Sequence, residues 1–135
     1  MDRYAARAAQ FDASPYAQLL GMKVVELAEG RVVIEMPLRE EYLNWAGITH
    51  GGAIMSLADH AFGCALNTGD LAYVAVQFNT SFVAAPRVGE VLQAEGRVLH
   101  AGRKIGMVQI TVKDSSGRLI ATASGTSVAV ERRQP

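Results

Sequence analysis

One segment constrains the fold more than any other. From Gly51 to Thr68 the sequence reads as a single long helix, with Gly69 as its stop. At about 100° per residue, Ala53, Ile54, Met55, Leu57, Ala58, Ala61, Phe62, Cys64, Ala65 and Leu66 cover roughly 220° of its circumference. A flat sheet packed against one side would leave much of that arc in water. One strongly curved antiparallel sheet wrapped around the helix buries it.

The rest of the chain supplies the strands. Met22 to Ala28 and Arg31 to Met36 are rich in Val and Ile, and Glu29-Gly30 between them marks a hairpin ended by Pro37. A loop from Arg39 to His50 leads into the helix. Beyond it, Ala72 to Ala84 alternates, with Val74, Val76, Phe78 and Phe82 on one face and Gln77, Asn79 and Ser81 on the other. Further strands follow from Glu90 to His100, Ile105 to Val112 and Leu119 to Val130, separated by turn residues at Pro86–Gly89, Ala101-Gly102 and Asp114–Gly117. Short turns predict that these four later strands form an antiparallel meander. Ahead of the first strand, Tyr4 to Gln10 suits a helix, and Ser14-Pro15 starts a second short turn ending near Gly21. The expected fold class is α+β: an antiparallel sheet of about six strands around one long central helix. A chain of 135 residues, half of them apolar, suits one domain over 1–135, with 1–20 as a helical lead-in.

Composition narrows the function classes. Lys plus Arg and Asp plus Glu both number 13, so no net field recruits nucleic acid or an anionic membrane. The one cysteine, Cys64, excludes an intrachain disulfide and a multi-cysteine zinc site, and reads as a small buried apolar residue. His50, His60 and His100 lack metal-ligand spacing, so no metal is expected. Asp2, Arg3 and Arg7 among alanines do not resemble a secretory signal, and no apolar run approaches the ~18 residues of a membrane span. A cytoplasmic location is expected.

Two features carry chemistry. The polar arc of the long helix holds Ser56, Asp59, His60, Gly63 and Asn67. Asp59 reads either as a carboxylate on a solvated stripe or, given the small residues Gly63 and Ser56 beside it, as one held where another chain approaches. In the second setting it serves as nucleophile or general base. The other feature is the approach to the helix, Asn44-Trp45-Ala46-Gly47-Ile48-Thr49-His50-Gly51-Gly52. Two glycines at a helix N-terminus expose unbonded N–H groups at the positive end of the dipole, a site able to polarise a carbonyl oxygen. They also permit a tight loop and nothing more. Trp45 and Tyr42 beside them read equally as acyl-pocket walls or as loop anchors.

Asn44, then His50-Gly51-Gly52, then Leu57 and Asp59-His60-Ala61 resembles the signature of PaaI-like hotdog thioesterases, and the likeness extends from about Gly21 to Val130. The resemblance implies acyl-CoA, often aryl-CoA, as substrate, with hydrolysis to free acid and CoA and no cofactor. It implies Asp59 as the carboxylate that attacks the thioester or activates water, and the Gly51 N–H, with Gly52 beside it, as the group that polarises the carbonyl. Asn44 would orient water or the carbonyl, and His50 would support Asn44 and the loop. Some members of the wider group carry a serine on the strand after the helix, where this chain has Ala75.

The phosphates of CoA need cations, and Arg87, Arg103 and Lys104 at strand ends are the candidates, against ordinary solvated turn charges. Gly51 and Asp59 lie about 12 Å apart along one helix, too far to meet at one carbonyl carbon. If both act, they come from different chains, so a homodimer is expected, with a homotetramer as the larger assembly. His60 and Cys64 share a helix face, but a Cys-His dyad lacks a third orienting group. The alternative of another class is a hotdog module that senses acyl-CoA without turnover. Such sensors attach a DNA-binding segment, which this sequence does not show, and Asp59 favours the enzyme. A hotdog hydratase would want its own His and acid pair, which is not found.

Overall fold

The computed structural model describes residues 2–130; Met1 of the lead-in and residues 131–135 of the expected domain lie outside them. The elements are α1 (Arg3–Asp12), α2 (Pro15–Leu20), β1 (Lys23–Ala28), β2 (Arg31–Pro37), a 3-10 turn (Glu40–Tyr42), α3 (Gly51–Leu66), β3 (Ala72–Phe82), β4 (Val91–Ala101), β5 (Ile105–Lys113) and β6 (Leu119–Val130). Local chemistry sets several boundaries. Asp2 caps α1 by accepting from Ala5 N at 2.7 Å. Ser14 caps α2, whose first residue is Pro15, and Gly21 at φ +73° ends it in a left-handed conformation that side chains avoid.

The strands form one antiparallel sheet in the order β1-β2-β4-β5-β6-β3, and α3 packs across β2, β4, β5, β6 and β3. Leu57 and Phe62 of α3 are buried against Ile34, Met36, Leu92, Ile110 and Ile120 of the sheet. Each such side chain contributes about 1.5–3 kcal/mol on burial. The helix sits unusually close at two points. A Cβ on Gly96 would stand 2.8 Å from Ala61 O, and one on Gly125 would stand 2.6 Å from the Phe62 ring. Phe62 also stacks on Phe78 of β3, with centroids 5.6 Å apart.

Four sequence expectations need correction. The later strands are not one meander: β4, β5 and β6 are consecutive, but β3 pairs with β6 at the far edge and β2 pairs with β4. Residues 83–90 are too long for a hairpin loop and run along the end of the sheet instead. They are held there by Val83 N and Ala84 N donating to Ile120 O, and by Arg118 donating to Ala85 O. The alternation in β3 also breaks. A bulge between Ala75 and Gln77 shifts the parity, so Phe78 turns to the helix while Val74 and Val76 stay exposed.

The long helix ends at Leu66, ahead of Gly69, because Asn67 caps it from the side chain. Its Nδ2 donates to Gly63 O at 2.8 Å, and its Oδ1 accepts from Tyr73 N at 3.0 Å. Arg3 and Arg7 of α1 donate to Thr68 O and Asn67 O, placing two cations at the negative end of the helix. Finally, the apolar arc of α3 is not wholly covered, since Met55 at its flank is exposed.

Candidate active site

The loop before α3 is held in shape by hydrogen bonds to itself. Asn44 N donates to Ile48 O at 2.8 Å, Gly47 N donates to Asn44 O at 3.0 Å, and Gly47 takes φ +76° to close the turn. The side chain of Asn44 joins in, its Oδ1 accepting from Ala46 N at 2.9 Å and Ile48 N at 3.1 Å. His50 N donates to Tyr42 O at 2.7 Å, and the Tyr42 hydroxyl donates to Leu20 O. Tyr42 is therefore a buried loop anchor. Trp45 stands 98% exposed at the tip of the same loop and anchors nothing.

At the start of α3, His50 Nδ1 accepts from Gly52 N at 2.8 Å. His50 thus caps the helix rather than bonding Asn44, and the Gly52 N–H is not open to a ligand. The Gly51 N–H makes no hydrogen bond among the described residues. A Cβ at Gly51 would come within 3.1 Å of the Phe82 ring, so this corner is tight. Of the two N–H groups expected to be open, one is.

Asp59 lies on the face of α3 that the sheet does not cover. Among the described residues its carboxylate makes no hydrogen bond and no ion pair. Its edge is open to solvent, yet the walls behind it withdraw enough water that burial raises its pKa above the ordinary carboxylate value, with His60 pulling weakly the other way. Burial also lowers His60, against the pull of Asp12 and Asp59, which leaves its imidazole neutral near pH 7. The Cys64 sulfur is 3.7 Å from His60 Nε2, but burial pushes the thiol far up, so it does not supply a thiolate.

Asp59 borders a cleft of about 1050 Å³ between α1, the open face of α3 and the start of β3. Phe11, His60, Gly63, Tyr73 and Val130 are among its walls. The part played by α1 was not foreseen from the sequence. The available signal was Arg3 and Arg7, four residues apart, a spacing that directs both guanidinium groups to one partner.

The structure does not bring all the expected residues together within one chain. Asn44, His50, Gly51 and Gly52 cluster at the N-terminal end of α3. Arg87 is at the same end, next to Pro86, whose carbonyl accepts from Thr49 Oγ1 at 3.4 Å. Asp59 is about 12 Å along the helix from Gly51. Arg103 and Lys104 lie past its C-terminal end: Gly102 O accepts from the Tyr73 hydroxyl, and Gly106 abuts Leu66. The side chains of Arg87, Arg103 and Lys104 are exposed and form no ion pair among the described residues. Ala75 adjoins the β3 bulge, opposite Ser127.

Comparison with known proteins adds to this geometry. A family profile described as the Thioesterase superfamily matches residues 46–121, more than half of the chain. A putative esterase of Archaeoglobus fulgidus is 36% identical over 118 residues, covering 87% of this chain and 77% of that protein. Acyl-coenzyme A thioesterase PaaI of Escherichia coli is 31% identical over 119 residues, covering 88% and 85%. The solved structure of the E. coli PaaI protein superposes with a TM-score of 0.89 over 96% of this chain and 97% of that one, at 28% identity. A Streptococcus mutans protein solved bound to acetyl CoA superposes with a TM-score of 0.80 over 84% and 91%, at 26% identity.

Proposed function

Because the chain belongs to the thioesterase superfamily, we propose that it hydrolyses acyl-CoA thioesters to free acid and CoA in a site shared between two copies of the chain. The observation that carries this reading is Asp59, a carboxylate raised by burial, without hydrogen bond or ion pair among the described residues, at the edge of a cleft. As general base it takes a proton from water while the water oxygen attacks the thioester carbonyl carbon. The oxyanion that forms is met by the open Gly51 N–H at the positive end of the partner's α3. The C–S bond then breaks, the proton returns from Asp59 to the CoA thiolate, and the acid departs. Direct attack by the Asp59 carboxylate, through an anhydride that water opens, gives the same products. Single turnover in ¹⁸O-water identifies an anhydride opened at the aspartyl carbonyl, since that path alone leaves protein oxygen in the acid and solvent oxygen in Asp59.

Asn44 keeps only its Nδ2 for substrate or water, because its Oδ1 is spent on the loop. His50 acts by holding the helix start. The ~12 Å between Gly51 and Asp59 supports pairing across a homodimer. In that pairing Arg87 of one chain and Arg103 and Lys104 of the other hold CoA phosphates, supported by the absence of ion pairs at these three cations among the described residues. No cofactor takes part. A cytoplasmic setting belongs to the same proposal.

The test is thiol release from a panel of acyl-CoA esters by purified protein, with Asp59→Asn as the blank. Release that depends on Asp59 supports the reading. No release from any ester overturns it. Esters of truncated pantetheine should show raised KM, and added salt should raise KM for the CoA esters toward the same value.

A further inference from the structure

We infer that the acyl group of the substrate lies in the cleft between α1 and the open face of α3, and that Gly63 sets how long an acyl group the cleft admits. This deepens the thioester reading and rests on it. Gly63 sits inside α3, one turn beyond Asp59 on the same side. Glycine in a helix interior is unfavourable relative to alanine, so its presence asks for a reason. The packing of the described residues supplies none, since a Cβ at Gly63 would meet none of them within 4 Å. Gly96 and Gly125 differ, because a Cβ there would run into α3. What Gly63 leaves room for is therefore outside the described residues.

That room is the cleft of about 1050 Å³ with Asp59 at its edge, at the upper end of the size of small-molecule sites. Its far walls include Phe11 and Val130, and Tyr73 presents only its ring because its hydroxyl is spent on Gly102 O at 2.7 Å. CoA phosphates do not suit this space. Arg7 on its wall is engaged with Asn67 O at 2.6 Å, His60 is held neutral, and Asp59 repels anions. The acyl end fits where the phosphates do not. Ser56, the other small residue on the open face of α3, differs from Gly63 in that the Tyr16 hydroxyl of the same chain lies 2.7 Å from its Oγ.

The experiment compares kcat/KM for acetyl-, hexanoyl- and decanoyl-CoA in the wild type, Gly63→Ala and Gly63→Leu, with assembly state read by native mass spectrometry. Gly63→Leu should lower the decanoyl-to-acetyl ratio about tenfold or more, since several methylenes lose their place beside Gly63, and Gly63→Ala should lower it less. Ratios within twofold of wild type in both variants overturn the inference. So does a change of assembly state, which would give the space to a second copy. If the wild type cleaves no ester, the proposed reaction fails by itself, and binding of non-hydrolysable thioether analogues then decides the pocket. Affinity that rises with chain length in wild type and not in Gly63→Leu supports it. The same length dependence in both overturns it.

Discussion

The two faces of α3 follow opposite rules. On the sheet face every position is filled, to the point that Gly96 and Gly125 of β4 and β6 must lack side chains for Ala61 and Phe62 to approach. On the open face, among the described residues, Asp59 makes no hydrogen bond or ion pair and a Cβ at Gly63 would meet nothing within 4 Å. One face is closed within the chain, so substitutions there should act on stability. The other is completed by something outside it, so substitutions there should act on turnover. Natural folds tolerate unspent groups at functional sites more than elsewhere, because the compensating contact arrives with the ligand or partner.

The sharpest way to break this contrast is Asp59→Asn. Turnover should fall at least about 10²-fold, as for loss of a general base, and a variant near wild-type activity removes Asp59 from the chemistry. Stability should behave in the opposite sense. Asp59 has a folded pKa raised above its ordinary 3.8, so the folded chain favours its protonated form. The stabilising contribution of that form is present below the unfolded value and lost as pH rises through the folded one. At pH 7 the charged form therefore costs stability, and Asp59→Asn should melt at or above the wild-type temperature. For the wild type, the acid limb of kcat/KM should lie above 3.8, because the base must be ionised to act.

The next largest effect tests whether the open face is completed by a second copy. Asn44→Ala and Asp59→Asn dimers should each be crippled. Refolded together they form hybrids in which one site carries both lesions and the other carries none. With random pairing about half the dimers are hybrids with one intact site of two, so thiol release should return to about a quarter of wild type. No gain, with hybrids confirmed by native mass spectrometry, puts both residues in one chain's site.

On the closed face, Gly96→Ala should destabilise by about 1–3 kcal/mol in urea titration, the usual cost of overpacking a well-filled core. Gly125→Ala should cost less within that range. The Phe62 ring it meets can shift, whereas Ala61 O, met by Gly96, is helix backbone. Equal or better stability in Gly96→Ala would mean that α3 does not press on β4 as described.

The same contrast explains what the sequence disclosed. The helix apolar over most of its circumference announced a wrapped sheet, and Ser14, Pro15 and Gly21 announced α2, because caps and periodicity are local signals. The place of β3 was not legible. Whether a strand pairs with its successor or crosses to the far edge depends on partners dozens of residues away, and Val74 to Phe82 look alike under either pairing. The bulge that turned Val74 and Val76 outward has no local mark either. In the site, Asp59 and Gly51 stood out by type and by place on the helix, and Asn44 through the resemblance to PaaI-like thioesterases. That Gly52 N–H would be consumed by His50 depended on a rotamer, and that α1 would wall the cleft depended on Arg3 and Arg7 reaching the far end of α3.

The smallest predicted effect is also the one that most directly separates the two faces. Gly63→Ala adds one methyl to the interior of a helix at a point where none of the described residues lies within 4 Å. Alanine restricts the unfolded chain and suits the helix, so the exchange should stabilise by up to about 1 kcal/mol. Gly96→Ala is the same chemical change on the strand facing α3, and its sign should be reversed. Both are measured by urea titration at one fixed protein concentration, because assembly makes apparent stability depend on concentration. A rise for Gly63→Ala with a fall for Gly96→Ala means that the empty space beside Gly63 persists in the assembled protein and is available to a ligand. A fall for both means that a second copy already fills that space. The contrast between the faces would then be a property of the single chain alone.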